Sequence, residues 1–431
     1  MNRSWEYPSH GGNLRWAAET FGREPGDFLD FSSSLNPLGP PPLVREFLEE
    51  LARGSRASWR SLTGYPDPEA KEARRALAGF LGVPEEAVLL TSGGTEAIRL
   101  VVLLWREASG ERGATPYLVT WAPAFGEYER AARALRMPVI RVFMDPEKVL
   151  VAGWAGGKGS QVEGPGLRRR ARLRVEGRDS PRFCFPSPLT LSPLARPGTL
   201  FFLCQPHSPT GAWVDPEEIL RFHASLPPGA GLVVDEAFLW LAERAWPGRG
   251  GKVGFRTLAR EAAEREGLFV VGSLTKAFAL PGLRVGYAVA RPEEMRRMGD
   301  FQPTWSANGL AQALVPLCLR EAEGGYIART LELLSGEKRR IEEAFSRDPV
   351  LVRAFHLFPS EANFYLAREL SGDPVRRPEP LFAALGRRGV LVRDLSSVPG
   401  LEGGYFRFAV RTEEENIVLL RVLKEVKRSR A

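Results

Sequence analysis

Cysteine is nearly missing from this chain: three residues in 431, Cys184, Cys204 and Cys318. They are far apart and form no Cys-x-x-Cys pair, so neither a disulfide framework nor a cysteine zinc site is encoded. Histidine is as scarce, with four, which leaves few ligands for a metal centre, and no metal is expected. Long apolar runs are missing too. No stretch approaches the roughly 20 residues that span a bilayer. The opening MNRSWEYPSHGGN lacks the apolar core of a secretion signal. On these grounds the expected compartment is the cytoplasm, with no membrane partner. The 44 Gly and 35 Pro are scattered without a period, which excludes a fibrous or repeat architecture.

What is present is ordinary globular composition, 44% hydrophobic and 26% charged. That excludes disorder for most of the chain, and the length suffices for two domains with their own cores. The net charge is +7, from 59 Lys+Arg against 52 Asp+Glu. Part of the excess is one patch, Arg168, Arg169, Arg170, Arg172, Arg174, Arg178 and Arg182. The patch has no interleaved aromatics and belongs to no nucleic-acid module, so no nucleic-acid partner is expected. A basic balance suits an enzyme of anionic, phosphorylated substrates.

Residues 1–40 are polar and turn-rich and end in NPLGPPP, which reads as an arm. From Glu69 to Leu81, apolar Ala73, Leu77, Phe80 and Leu81 share one helical face, and Gly82 ends it. Short apolar strands are expected at 87–92, 117–120, 199–204, 231–237, 268–273 and 284–290. Helices separate several of them. One begins at Asp215 as N-cap, with Pro216 next and Glu218 closing a capping box. Strands alternating with helices predict a mainly parallel α/β sheet covered on both faces. Residues 145–198, rich in Gly, Pro and Arg, break the rhythm and read largely as a surface insertion. Beyond about 305 the chain turns helix-rich, then shows strands at 362–367, 389–394 and 405–410. The organisation expected is an arm (1–40), a large α/β domain (41–304) and a smaller C-terminal α+β domain (305–431).

Four segments carry candidate chemistry. SGGTE (92–96) lies between a strand and a helix, where backbone N–H groups and the helix dipole favour an anion; alone, such a turn is also a plain connection. In GSLTKAFALPGLRVGY (272–287), Lys276 follows an apolar strand among hydroxyl and apolar residues. Desolvation there lowers a lysine pKa and makes the amine a nucleophile. Ser273, Thr275 and Arg284 beside it suit a phosphate; the plain reading is a surface lysine in a loop. VVDEAF (233–238) ends a buried strand in Asp235, a carboxylate that needs a cationic partner, or else a helix cap. QPHSPTG (205–211) is a tight turn.

In this order the four segments resemble the fold-type I pyridoxal 5′-phosphate enzymes. Further segments, HGGN (10–13), DFSSSLNPLGPP (30–41), YPDP (65–68), SEANF (360–364) and VRDLSSVPGLEGGYFRFAVRT (392–412), are similar to the L-threonine-O-3-phosphate decarboxylase branch of cobalamin biosynthesis. That branch is related to histidinol-phosphate aminotransferase. The resemblance implies the aspartate aminotransferase fold, pyridoxal 5′-phosphate as cofactor and a homodimer. It implies decarboxylation of L-threonine O-3-phosphate to (R)-1-amino-2-propanol phosphate and CO2. The alternative is an aminotransferase of the histidinol-phosphate type. A cofactor-binding transcriptional regulator on this fold would need a helix-turn-helix module, which the turn-rich residues 1–40 do not offer.

By resemblance, Lys276 holds the cofactor covalently and Asp235 pairs with its ring nitrogen; these are the candidate catalytic residues. Phe125 stacks on the ring. Gly94, Thr95, Ser273, Thr275 and Arg284 hold the cofactor phosphate. Arg407 grips the substrate carboxylate, and Arg393 with His10 is the candidate for the substrate phosphate. Two positions depart from the family pattern. Ser208 stands where an Asn donates to the cofactor phenolate oxygen O3′, and Phe238 stands where the aminotransferases carry a Tyr. Phe238 fits the decarboxylase branch. Both changes imply a weaker hold on O3′.

Overall fold

The computed structural model describes residues 10–144, 149–154, 188–247, 254–370 and 379–429. The arginine patch at 168–182 and Cys184 lie outside the described residues. No helix among the described residues is long and apolar enough to cross a membrane.

An eight-stranded mixed sheet forms the centre. Its order is Val88–Thr91, Gly286–Val289, Leu268–Ser273, Gly231–Asp235, Thr199–Cys204, Tyr117–Ala122, Val139–Met144 and Val149–Trp154. The four strands from Leu268–Ser273 to Tyr117–Ala122 run parallel, and Val139–Met144 joins them in the same direction. Gly286–Val289 is antiparallel to both of its neighbours, and Val149–Trp154 is antiparallel to Val139–Met144. The central strands are apolar in both phases, and the structure shows why. Phe201, Leu203, Leu232 and Val234 enter one core, which also holds Leu77, Trp240 and Tyr287. Leu200, Phe202, Val233 and Phe269 enter the other, with Ile98, Val101 and Tyr128. A sheet covered on both faces demands such continuous runs.

Several expectations are corrected. The strand anticipated at 284–290 begins at Gly286 and runs antiparallel; Arg284 lies before it in the left-handed region at φ 53°. The helix read from Glu69 begins at Lys71, where Asp67 Oδ2 accepts the Lys71 N–H at 2.9 Å. The capping box at Asp215 is not closed: Asp215 Oδ1 accepts from the Glu217 N–H at 2.9 Å, and Glu218 returns no bond. The segment read as an insertion contributes structure in two places: 149–154 is the edge strand, and at 188–198 Leu191 is buried in the first core. Its residues 145–148 and 155–187 lie outside the described residues.

The small C-terminal sheet has four antiparallel strands, ordered Phe355–Leu357, Phe364–Glu369, Tyr405–Ala409 and Arg393–Asp394. The composition change at 305 precedes the change in packing. Ala311, Leu314 and Leu319 of the helix Gly309–Glu323 still sit in the large core. The next helix, Tyr326–Arg347, starts there with Ile327 and ends in the small core with Ile341 and Phe345. The arm joins the small unit through Leu29–Asp30, which pairs in parallel with Val390–Leu391.

Candidate active site

The loops that leave Thr91, Ala122, Cys204, Asp235 and Ser273 all emerge at one edge of the sheet, the carboxyl end of its parallel strands. Clefts form there because the helices that follow diverge to either face. The cleft has a volume of about 1600 Å³. His10, Gly94, Thr95, Phe125, Ser208, Asp235, Ser273, Thr275, Lys276, Arg284, Arg393 and Arg407 all line it. Every residue singled out from the sequence is therefore in one place, although the chain separates the first from the last by nearly its full length.

Asp235 ends its strand and is buried. Its Oδ2 accepts the Tyr128 hydroxyl at 2.6 Å and its Oδ1 accepts the Ala237 N–H at 2.9 Å. Burial pushes its pKa up; the Tyr128 hydrogen bond and then the Lys276 charge oppose that. Lys276 lies in the short helix Leu274–Ala277, directly after the neighbouring strand. Burial pulls its pKa down, and the charge on Asp235 opposes that. Its Nζ lies 4.7 Å from the centre of the Phe238 ring. The two groups thus sit at adjacent strand ends and sense each other electrostatically. A buried carboxylate whose hydrogen-bond donors are a phenol and a backbone N–H keeps lone-pair capacity for a protonated ring nitrogen, a cation that would offset the cost of its burial.

Beside them is an anion cup. The helix Gly94–Glu111 points its N-terminus into the cleft, where its free N–H groups and dipole favour a phosphate. Ser273 Oγ and Thr275 Oγ1 face each other at 2.8 Å. Arg284 Nη1 donates to the Pro281 carbonyl at 3.1 Å. Gly93, at φ 80°, precedes the helix, and a Cβ there would lie 2.5 Å from Arg284 Nη2. Only glycine lets the guanidinium lie over the helix start. Cup, buried carboxylate and desolvated lysine together match pyridoxal 5′-phosphate.

The opposite wall comes from the small sheet and the arm. Arg407 and Arg393 are register partners on adjacent antiparallel strands. Arg407 donates to Ser208 Oγ at 3.0 Å and to the Ser32 carbonyl at 3.4 Å. Its guanidinium lies 4.7 Å from the centre of the Phe364 ring. Ser208 therefore braces this arginine, and its hydroxyl hydrogen is left to point elsewhere. His10 Nε2 is 3.3 Å from Glu127 Oε1, and its ring is 5.8 Å from that of Phe125. Glu127 is buried and also faces Arg130 at 3.1 Å and Arg99 at 3.8 Å.

Three residues of this neighbourhood escaped the sequence reading. Tyr128 lies three positions beyond Phe125, one helical turn deeper, and that spacing was its only signal. Cys204 is buried beside the Asp235 strand and donates to the Pro206 carbonyl at 3.2 Å. His207 is buried under the 205–211 turn, its Nδ1 2.8 Å from Thr210 Oγ1. Burial pushes its pKa down to about 3, so it is a neutral strut.

The profile described as aminotransferase class I and II matches residues 26–423. A bifunctional adenosylcobalamin biosynthesis protein of Leptospira interrogans is 26% identical over 95% of this chain, which spans 40% of that protein's length. A threonine-phosphate decarboxylase of Salmonella typhimurium is 28% identical over 97% of this chain and 96% of its own. A histidinol-phosphate aminotransferase of Symbiobacterium thermophilum is 28% identical over 92% of this chain and 90% of its own. In fold, the crystal structure of a histidinol-phosphate aminotransferase from Clostridium acetobutylicum superposes with a TM-score of 0.70 at 21% identity, covering 93% of this chain and 99% of that one.

Proposed function

The chain belongs to the class I and II aminotransferase family, whose cofactor is pyridoxal 5′-phosphate, and from that premise we propose that it is a decarboxylase of L-threonine O-3-phosphate. The products are CO2 and (R)-1-amino-2-propanol phosphate, the chemistry of cobalamin biosynthesis. The cofactor supplies an electron sink for the bond broken at the substrate α-carbon.

The observation that carries this reading is the pair Arg393 and Arg407. Side chains directly opposite on antiparallel strands share one face and lie about 5 Å apart at Cβ, where like charges repel. Both arginines line the cleft. A substrate that brings two anions at once fits such a pair. Threonine phosphate carries a carboxylate and a phosphate on one molecule; histidinol phosphate carries only the phosphate, and in its reaction two anions come together only on the keto-acid partner. Phe238 supports the same side, because it offers no hydroxyl to the cofactor where the aminotransferases have Tyr.

Each residue then has a task. Arg407, held by Ser208 and the Ser32 carbonyl, takes the carboxylate in a bidentate grip, which fixes its angle to the cofactor ring. That angle decides the reaction, because only a bond perpendicular to the ring delocalises its electrons as it breaks. Arg393 and His10 hold the substrate phosphate. Lys276 Nζ, kept weakly basic by burial, returns a proton to the α-carbon after CO2 leaves. Phe238 and Phe364, packed at 5.0 Å, keep water from that carbon. The site-building residues come from both sheets and the arm, and the active unit is a homodimer, as the family generally is.

The test is product identification. Purified protein is given threonine phosphate with no keto acid. Equimolar CO2 and aminopropanol phosphate are expected. Turnover that needs 2-oxoglutarate and yields a keto product assigns the aminotransferase reaction instead.

A further inference from the structure

No task above uses Tyr128, yet its hydroxyl donates to Asp235 Oδ2 at 2.6 Å. We propose that Tyr128 is a positioning residue, which holds the Asp235 carboxylate in the orientation that meets the ring nitrogen of the cofactor. The inference rests on the reading of Asp235 as the partner of that nitrogen.

Each carboxylate oxygen has one fixed donor, Tyr128 on Oδ2 and the Ala237 N–H on Oδ1. Two donors on two oxygens fix the carboxylate plane, and each oxygen keeps lone-pair capacity for a third partner. Tyr128 is itself immobile. It is 1% exposed, its ring stacks on Phe202 at 4.7 Å, and the Phe125 ring meets it edge-on at 5.8 Å. Phe125 precedes the helix Gly126–Ala134, and Tyr128 lies in its first turn. One piece of backbone therefore places both the aromatic that stacks on the cofactor and the phenol that braces its acid.

The phenol is a donor and not an acid here. Burial, then the charge on Asp235, pushes its pKa well up. The other titratable groups acting on Asp235 or sensing it are Cys204, Lys276, Glu236 and Tyr287. Burial raises the pKa of the Cys204 thiol and the Tyr287 phenol, which keeps both neutral. Lys276 is the one basic group among them, burial lowers its pKa, and its amine would be committed to the cofactor when that is held covalently. In the loaded enzyme the carboxylate then depends on the ring nitrogen for compensation and on Tyr128 for aim.

The test compares two cofactors on the full-length protein: pyridoxal phosphate, and its analogue with C–H in place of the ring nitrogen. Affinities are read from tryptophan fluorescence quenching, without turnover. Tyr128→Phe should weaken pyridoxal phosphate roughly ten-fold, the scale of one hydrogen bond to a charged group, and leave the analogue unchanged. Equal losses for both cofactors, or no loss for either, overturn the proposal. Asp235→Asn is measured beside it. If that variant fails to discriminate between the cofactors, the reading of Asp235 is what fails; if it discriminates and Tyr128→Phe does not, only the role of Tyr128 falls. Should Tyr128→Phe not fold, Phe202→Leu frees the ring but keeps the phenol. It should show the same contrast at smaller size, and equal losses there again overturn the proposal.

Discussion

A lysine buried among apolar groups gives up its proton readily, and the amine so exposed is what reacts with an aldehyde. Lys276 meets that description on geometry as well as on charge, since its Nζ lies against the Phe238 ring and opposite Asp235. Lys276→Ala should therefore bind the cofactor without the visible absorbance of its covalent linkage, and turnover should vanish; a spectrum unchanged from the native protein would remove Lys276 from this role. The two arginines separate by substrate. Arg407→Ala should lower kcat/KM about ten- to a hundred-fold, because a charge-assisted pair is worth about 1.5–3 kcal/mol. Arg393→Ala should raise KM for threonine phosphate and leave any turnover of unphosphorylated threonine unchanged. Steady-state kinetics on the two substrates measures both effects, and an equal penalty on both substrates in the Arg393 variant would mean that it does not touch the phosphate.

At the scale of the element, the strand before Lys276 depends on a missing side chain. Gly272 is the register partner of Tyr287, and a Cβ at Gly272 would lie 2.0 Å from Tyr287 Cζ. Tyr287 is 0% exposed and its hydroxyl accepts from Trp240 Nε1 at 3.3 Å, so the ring has nowhere to go. Gly272→Ala should cost about 1–3 kcal/mol, the usual range for overpacking a tight core, seen as a lower denaturation midpoint in urea. A midpoint equal to that of the native protein would show that the ring yields easily. Elements of this kind were the legible ones. A parallel strand buried on both faces is a bare apolar run, so TLFFLC and LFVVGS were read to the residue. Antiparallel direction is not legible, because periodicity carries no sign, and Gly286–Val289 runs against both of its neighbours. Nor does an apolar stripe say which core it joins, and so the helix Gly309–Glu323 was expected in the small domain and packs on the large one. The cleft was legible because its parts end strands. Tyr128 was not, because its task depends on a partner 107 positions away in sequence.

For the molecule as a whole, two buried groups outside the chemistry set opposing pH responses. His207 has its pKa pushed down from 6.5 to about 3 by burial. Between those values the unfolded chain binds the extra proton, so stability rises with pH across that window and is lost as pH falls through it. Glu236, one residue after Asp235, has its pKa pushed up from 4.5 to about 7 by burial, against its bonds from the Leu258 N–H and the Thr257 hydroxyl. Between 4.5 and 7 the folded protein binds the extra proton, so this group makes stability fall as pH rises. Each slope approaches about 1.4 kcal/mol per pH unit, and from 4.5 to 6.5 they cancel. Glu236→Gln deletes one of the two. Its amide oxygen still accepts the Leu258 N–H and its amide donates to Thr257, so the local bonds survive. Every other titrating group is common to both proteins and drops out of the difference. Urea unfolding at a series of pH values should therefore show the variant gaining on the native protein steadily from pH 4.5 to 7 and holding a constant advantage above it. A difference that does not change with pH would mean that Glu236 is ionised throughout, and that its two donors fully offset the cost of burying its charge.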